Sequence, residues 1–278
     1  MLTSIARRGV MRAAGGWLAA CAIPAHAMAE PAGFDPGSAA DRALAFRKLA
    51  WSMDDRITYS WLRGRRYGLH QGKLHPFWDM VVGTMFRVLD HGEGRYDVTS
   101  IGASFYTDVQ TGRMIESFDN PLTGKRIKIG FLPPVPQTIS YGPAGRIDTP
   151  KGVLAGLARS VAIGPAWTQG GEVFVMGDTM LHGTLNDRAV HVNDLDTYAG
   201  SLRDVLDPAQ KNPPARMTFN DLNTWPPWLE MGDIEGTYFS RALGRKVFAL
   251  ADMPALWQSE MLRRLPRLAS DPVGLLRG

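Results

Sequence analysis

The chain has 278 residues, with 31 lysines and arginines against 27 aspartates and glutamates. Three of these bases, and none of the acids, lie in residues 1–29, so that 28 bases face 27 acids in the remainder. This balance excludes the excess of positive charge that sequence-independent binding of nucleic acid requires. Residues 30–278 are long enough to bury one large hydrophobic core or two small ones.

Residues 1–29 have the order of an export signal. Arg7 and Arg8 come first, and an apolar region over residues 13–23 follows, which is too short to span a bilayer. The small residues Ala27 and Ala29 then form a cleavage site. We therefore expect recognition by the twin-arginine translocase, cleavage after Ala29 and a periplasmic or otherwise exported protein.

The segment Leu18-Ala19-Ala20-Cys21 fits a second type of export signal, the lipoprotein signal. In that alternative Cys21 carries a lipid and anchors the protein, and this is the one case in which we expect contact with a membrane. Cys21 is also the only cysteine. The rest of the chain therefore has no disulfide, no thiolate zinc site and no cysteine nucleophile.

The first predicted elements are a tether, a helix and three strands. Residues 30–40 contain two prolines and two glycines, which favours an exposed tether. The pattern Ser38-Ala39-Ala40-Asp41 resembles a capping box and predicts a helix over 39–52. Beyond it the apolar period becomes two, which predicts strands over 57–61, 77–89 and 96–109, with Gly83 as a possible bulge.

Short strands separated by turns follow as far as a final helix. They are predicted over 114–118, 127–131, 137–141, 172–181, 188–192, 216–221, 237–242 and 246–250. Residues 143–170 are rich in glycine and proline and predict a long loop, and Pro254 predicts the start of the last helix. We expect a mainly β (α+β) domain over 41–272 and a tail over 273–278. Its architecture is predicted to be an antiparallel barrel-like or strongly bent sheet of about ten strands, with flanking helices at both ends.

Histidine and carboxylate residues give only weak signals for chemistry. The five histidines after residue 29 form no H-x-H or H-E-x-x-H pattern, so we predict no metal site. Gly-rich phosphate loops and nucleophile motifs are missing too, so we predict no cofactor. The acid/base candidates are His182 with Asp178, which share one face of a predicted strand, together with Tyr141 and His91. The alternative is that His91 is a surface residue of a turn and that His182 and Asp178 form a solvated pair at the rim.

Aromatic residues and arginines provide the candidate ligand contacts. Arg63 lies in the basic stretch Arg63-Gly64-Arg65-Arg66, where a guanidinium could bind a carboxylate or phosphate, although an exposed hairpin end also accounts for it. Either Tyr59 and Trp61 or the alternate row of Thr58 and Ser60 should face a barrel interior. The stretch Thr224–Asp233, TWPPWLEMGD, is predicted to be a rigid lid over one end of the sheet. Within it, Trp228 is the candidate to contact a ligand as well.

Several motifs together resemble a known family. They are Trp61-Leu62-Arg63-Gly64, Asn120-Pro121-Leu122-Thr123-Gly124, Trp225-Pro226-Pro227-Trp228-Leu229-Glu230-Met231-Gly232-Asp233 with Gly236, and Gly244-Arg245-Lys246 before a helix that begins with proline. In this order they resemble the bacterial domain-of-unknown-function family 1838, over about residues 41–272. The resemblance implies one domain and an exported context, and it implies no catalytic residue.

Three functions fit the sequence. The first is an exported protein that binds a small hydrophobic or aromatic molecule in a barrel cavity. The second is a cofactor-free isomerase, lyase or hydrolase that uses acid/base residues in the same cavity. The third is a structural or interaction protein of the cell envelope whose barrel is filled. In none of these hypotheses do we expect nucleic acid as a partner.

Overall fold

The computed structural model describes residues 33–130, 134–143, 145–146, 157–185 and 188–277. The predicted signal, its cleavage site and Cys21 lie outside these residues. The strands are β1 Thr58–His70, β2 Lys73–Gly92, β3 Arg95–Thr107, β4 Ser117–Asp119, β5 Arg126–Lys128, β6 Gln137–Gly142, β7 Gly145–Arg146, β8 Ala158–Gln169, β9 Glu172–Leu185, β10 Arg188–Ser201, β11 Arg216–Asn223 and β12 Thr237–Val247. The helices are α1 Ala39–Ala50, α2 Leu202–Leu206, α3 Ala255–Arg264, α4 Pro266–Ser270 and α5 Pro272–Arg277.

Ten of these strands form one curled antiparallel sheet in the order β7-β6-β3-β2-β1-β12-β11-β10-β9-β8. The sheet curls so far that its two edge strands approach each other, since a Cβ atom on Gly145 in β7 would lie 3.1 Å from the carbonyl oxygen of Val161 in β8. The remaining strands, β4 and β5, form a separate hairpin. The predicted mainly β, barrel-like architecture of about ten strands with flanking helices is therefore confirmed.

Helix α1 packs against the inner face of the sheet. Ser38 caps it as predicted, because its Oγ accepts a hydrogen bond from the Asp41 amide over 3.3 Å. The helix lies close to the strands where they carry glycine: a Cβ on Gly177 would be 2.6 Å from the Phe46 ring, and one on Gly200 would be 2.5 Å from Leu49. The glycines of β9 and β10 thus give the helix room to enter one end of the barrel.

The opposite end of the barrel is closed by the lid segment 224–233 and the β4–β5 hairpin. Trp228 lies 5.9 Å from Trp78 between ring centroids, and Trp78 is fully buried. Trp225 donates a hydrogen bond from its Nε1 to the carbonyl of Ile234 over 2.8 Å. Leu229, in a 3-10 turn over Pro227–Leu229, is fully buried. The interpretation of the segment as a rigid lid over one end of the sheet agrees with this packing.

Helices α3, α4 and α5 cover part of the outer face. Trp257 of α3 is fully buried and donates its Nε1 hydrogen to the carbonyl of Ala103 over 2.9 Å. It lies against Gly83, where a Cβ would come within 2.3 Å of the indole. Gly83 pairs regularly with both neighbouring strands, so its prediction as a bulge was wrong. The residue is glycine because a tryptophan occupies the space that a side chain would need.

Three other predictions of elements were wrong. Residues 158–169, predicted as part of a long loop, form the edge strand β8. The two strands predicted over 237–242 and 246–250 are one strand, β12, and Gly244 within it is a point of close approach: a Cβ there would lie 1.8 Å from the Trp61 carbonyl. Most of the strand predicted over 114–118 is irregular, with one bridge between Met114 and Thr107.

Candidate functional site

A cavity of about 260 Å³ lies inside the barrel, between α1 and the inner face of the sheet. The register of the strands builds it from residues that alternate inward. In β1 these are Ser60, Leu62 and Arg66, so of the two rows that the sequence left open, it is the row of Thr58 and Ser60 that faces inward. We call this space the barrel cavity.

The barrel cavity has an apolar part and a polar part. The apolar lining consists of Leu49, Ala50, Leu62, Met80, Val82, Ala215, Met217 and Phe219, and Trp51 covers it from the end of α1. The polar lining consists of Ser60, Thr84, Ser104, Arg66, Asp196, Tyr198 and Lys246. This combination of an apolar wall with a few converging polar groups is typical of a small-molecule site.

The ion pair of Arg66 with Asp221 lies at one side of the barrel cavity. One Nη atom of Arg66 donates to Asp221, and the guanidinium lies 4.5 Å from the centre of the Tyr238 ring. The pKa of the Tyr238 phenol is raised because the group is buried. The sequence predicted a basic hairpin end here, but Arg66 lies in the middle of a 13-residue strand and points inward.

Asp196 is the most perturbed acid of the barrel cavity. Burial, together with the neighbouring carboxylate of Asp194, raises its pKa to about 8. Its Oδ2 accepts a hydrogen bond from the Tyr198 hydroxyl over 3.2 Å. A carboxyl group with this pKa exchanges protons near neutral pH, which is the property of a general acid or base.

Lys246 lies on the other side of the cavity and is tied to the end of α1. Its Nζ donates to the carbonyl oxygens of Lys48 and Trp51. Desolvation by burial lowers the pKa of the Lys246 ammonium well below its usual value. The lysine thus joins the helix to β12. The same burial disfavours the charged form of its amine.

Three buried polar atoms of the cavity lining have no hydrogen-bond partner among the described residues. They are Oδ1 of Asp196, Nε of Arg66 and Nε1 of Trp51. Such atoms are rare in folded proteins because each costs about 1–3 kcal/mol of desolvation. Two donors and one carboxyl oxygen of the lining residues are therefore left without a partner.

The acid/base candidates from the sequence lie elsewhere. Strand register places His182 and Asp178 on the outer face, where His182 is exposed and has His191 as its partner in β10. His91 is exposed and hydrogen-bonded through Nε2 to Asp97 over 2.9 Å. Tyr141 is buried and stacks on Tyr96 at 5.0 Å between ring centroids. None of these four side chains lines the barrel cavity.

The ligand-binding candidates from the sequence divide between three places. Tyr59 is buried on the outer face beneath the C-terminal helices. Trp61 and Arg63 also lie on the outer face and line a second cavity, across the sheet from the barrel cavity, with Ala215, Met217 and Lys246 lining both. Trp228 packs in the aromatic cluster that closes the end of the barrel. Of the four predicted ligand-binding residues, the structure therefore brings two, Trp61 and Arg63, together at one site.

A pattern in the sequence indicated that Asp196 lies in a strand, but the predicted strands did not include it. In Asn193-Asp194-Leu195-Asp196-Thr197-Tyr198 the carboxylates and the phenol alternate, which is the period of a strand. The strand predicted over 188–192 continues through them to Ser201. Asn and Asp usually mark turns, and the predicted strand ended directly before them.

Within the described ranges, no group of three or more histidines, cysteines or acids is placed to hold a metal ion. None of the helices described is both long and apolar enough to cross a membrane.

Comparison with known families identifies one match. The family model described as "Protein of unknown function (DUF1838)" matches residues 184–276. The chain resembles this family. No curated protein sequence and no solved structure matches the chain.

The DUF1838 match is shorter than the resemblance predicted from motifs. It contains the lid segment, Gly244-Arg245-Lys246 and the helix after Pro254, whereas Trp61–Gly64 and Asn120–Gly124 lie outside it. Of the cavity residues, Asp196, Tyr198 and Lys246 fall within the matched segment. Arg66 and Trp51 are supplied by the part of the chain that precedes it.

Proposed function

We propose that this protein binds a small, uncharged ring compound carrying oxygen groups in the barrel cavity. The observation that carries the proposal is the set of three unpartnered polar atoms, on Asp196, Arg66 and Trp51, around an otherwise largely apolar space. A ligand with a hydroxyl or carbonyl oxygen would accept from the two N–H groups and bond to the carboxyl group. Apolar walls would hold its rings.

The size of the barrel cavity sets the size of the ligand. An apolar cavity of about 150 Å³ is known to hold benzene, and the barrel cavity has about 260 Å³. We therefore expect one or two rings with few substituents. This is close to the lower end of ordinary ligand pockets, at about 300 Å³.

The charges of the barrel cavity favour a neutral ligand. Arg66 is already paired with Asp221. Asp196 holds its proton at neutral pH because burial raises its pKa to about 8. Burial also lowers the pKa of Lys246. A charged ligand would find no free opposite charge in this lining and would lose its hydration.

An acid/base enzyme is the second candidate, and the position of Asp196 favours it. Its carboxyl group lines the cavity, receives one hydrogen bond from Tyr198 and has a second oxygen without a partner. In its deprotonated form, which is populated as pH approaches 8, such a group could remove a proton from a carbon next to a ligand carbonyl and return it to another position. Atoms and charge balance in this isomerisation without a cofactor.

Residues 1–29 support the proposal that the protein acts outside the cytoplasm. Arg7 and Arg8, the short apolar region and the small residues before Glu30 are those of a twin-arginine signal. Lipidation at Cys21 is the alternative, and it would leave the domain attached to a membrane.

Binding is tested by native mass spectrometry of the purified protein, followed by solvent extraction, and by calorimetric titration with 1-naphthol as a two-ring probe. Met217→Trp fills the barrel cavity from β11 and should abolish naphthol binding. Leu222→Trp places the same indole on the outer face of the same strand and should leave binding unchanged.

Equal affinity of 1-naphthol for the wild type and Met217→Trp would overturn the proposal. The extracted compound also separates binding from catalysis. If wild-type protein returns it unchanged in mass and structure, binding is supported. If wild-type protein isomerises it and Asp196→Asn does not, the enzyme is supported.

A further inference from the structure

The second cavity lies on the outer face of the sheet, across strands β9, β10, β11, β12 and β1, and has a volume of about 1000 Å³. We call it the outer cleft. Strand register explains its shape through two adjacent rows of side chains. One row is Phe174, Ala199, Arg216, Arg245 and Trp61, and the other is Met176, Thr197, Thr218, Leu243 and Arg63. The smaller residues Ala199, Thr197 and Thr218 form the floor, and larger residues form the walls.

Arginines are concentrated along the β11, β12 and β1 side of the outer cleft. Arg216 in β11 and Arg245 in β12 lie directly opposite each other on neighbouring strands. Like charges in such positions repel each other. Arg241, in the next row, likewise faces Arg65. This arrangement costs stability unless the charge is neutralised by another group.

Few of these charges are neutralised within the protein. Arg216 bonds to both carboxylate oxygens of Glu172, at 2.5 and 2.6 Å, and Arg65 bonds to Asp79. Among the residues that the structure describes, Arg63 and Arg245 have no ion pair. The Arg245 guanidinium lies instead over the Trp61 ring, 5.4 Å from its centre. Two guanidiniums are therefore available to an anion from outside, and their planar donors suit carboxylate or phosphate.

Apolar side chains lie next to this charge. Leu243 is 64% exposed although its partners in both adjacent strands, Thr218 and Arg63, are cleft residues. Across the cleft, Phe174 stacks on Trp167 at 5.2 Å, and Trp167 is 40% exposed. The floor between these walls carries Ala199 and two threonine side chains. An exposed leucine between arginines is unfavourable in water and favourable against an apolar chain.

We propose that the outer cleft binds a single-chain anionic amphiphile, with its carboxylate or phosphate head on Arg63 and Arg245. The apolar chain lies across Leu243 and the floor towards Phe174. The cleft is concave, so a single chain reaches its floor, whereas a flat bilayer surface touches only its rims. Asp204 at the far end fixes the direction because its carboxylate repels the head, whereas the charge of Glu172 is balanced by Arg216.

The test uses dodecanoate and dodecyl phosphate, each below its micelle concentration, in calorimetric titrations of the full-length chain. Dodecanol, which has the chain without the charge, should bind at least tenfold more weakly, and so should butanoate, which has the charge without the chain. The double variant Arg63→Gln/Arg245→Gln should reduce dodecanoate affinity at least tenfold. Arg95→Gln, at an exposed arginine in β3, is the matched control and should change nothing.

Two further variants locate the site. Thr197→Trp fills the floor of the outer cleft and should abolish dodecanoate binding, whereas Val82→Trp, at a residue that lines the barrel cavity and not the cleft, should preserve it. The double arginine variant should still bind 1-naphthol, so that failure of this inference and failure of the barrel site are distinguishable. Equal affinity for dodecanol, loss of dodecanoate binding in Val82→Trp, or binding to anionic phospholipid vesicles without binding to monomeric dodecanoate would each overturn it.

Discussion

Asp196 should give the stability of this protein a distinct dependence on pH. Burial raises its pKa to about 8, against 3.8 for an ordinary aspartate. Between these values the folded protein holds a proton that the unfolded chain has released, so the free energy of unfolding falls as pH rises. Asp196→Asn removes this contribution. We expect the stability of the variant relative to wild type to increase by about 1.4 kcal/mol per pH unit between pH 5 and 7.5, measured by urea unfolding.

A second variant tests the assignment to Asp196. The Tyr198 hydroxyl bonds to Asp196 and lowers its pKa, so Tyr198→Phe should extend the pH-dependent range upwards and keep the slope. Lys246 has a lowered pKa, and its own contribution rises with pH, but it is common to all three proteins and cancels in the differences. Parallel curves for wild type and Asp196→Asn would contradict the assignment.

Single residues also show where sequence interpretation reached its limit. The alternation of Asp194, Asp196 and Tyr198 was readable, but whether the alternating face points inward depends on how the sheet curls. Arg66 and Asp221 are 155 positions apart, and only the pairing of β1 with β12 and β11 brings them together. Trp61 and Arg63 were found as candidates because arginine and tryptophan carry binding chemistry wherever they are exposed. The sequence did not predict on which face of the sheet these two side chains lie.

Among the helices, α3 depends on one side chain. Trp257 is fully buried, fills the space above Gly83 and bonds to the carbonyl of Ala103. We expect Trp257→Ala to lower the free energy of unfolding by about 3–5 kcal/mol, because a buried ring is replaced by a cavity. Leu262→Ala, on the same helix at a leucine that is 58% exposed, should cost less than about 0.5 kcal/mol. Chemical denaturation followed by circular dichroism measures both, and similar losses would contradict this account of α3.

The strands show why element boundaries were harder to predict than element types. Period-two patterns correctly indicated most strands, and Ser38 and Pro254 correctly marked the starts of two helices. Two of the errors involve glycine: Gly83 was predicted as a possible bulge, and the strands predicted over 237–242 and 246–250 were separated at Gly244. Both instead make room for a neighbour, which is a long-range property that local sequence does not contain.

At the scale of the whole molecule, export is the prediction that decides where a ligand is met. In a bacterium with two membranes, we expect a periplasmic protein whose intact mass corresponds to a chain that begins at Glu30. Replacing Arg7 and Arg8 with lysine should keep the full-length chain in the cytoplasm. Intact-mass spectrometry of the cell fractions measures both.

A soluble cytoplasmic protein that retains residues 1–29 would contradict export. A membrane-bound protein whose first residue is a lipid-modified Cys21 would show that the lipoprotein alternative is correct. Cys21→Ala distinguishes the two, because it should release the lipoprotein from the membrane and leave a protein cleaved after Ala29 unchanged.

The close approach of the two edge strands has a consequence for how a ligand enters the barrel. Ladders of hydrogen bonds join the ten strands at nine successive junctions, and opening any of these breaks a row of bonds. Between β7 and β8 the described residues form no such ladder, although Gly145 and Val161 are close. Among the described residues, widening at that seam breaks no such ladder. We therefore expect it to open more easily than the nine junctions, so that the residence time of a ligand inside depends on how often the seam opens.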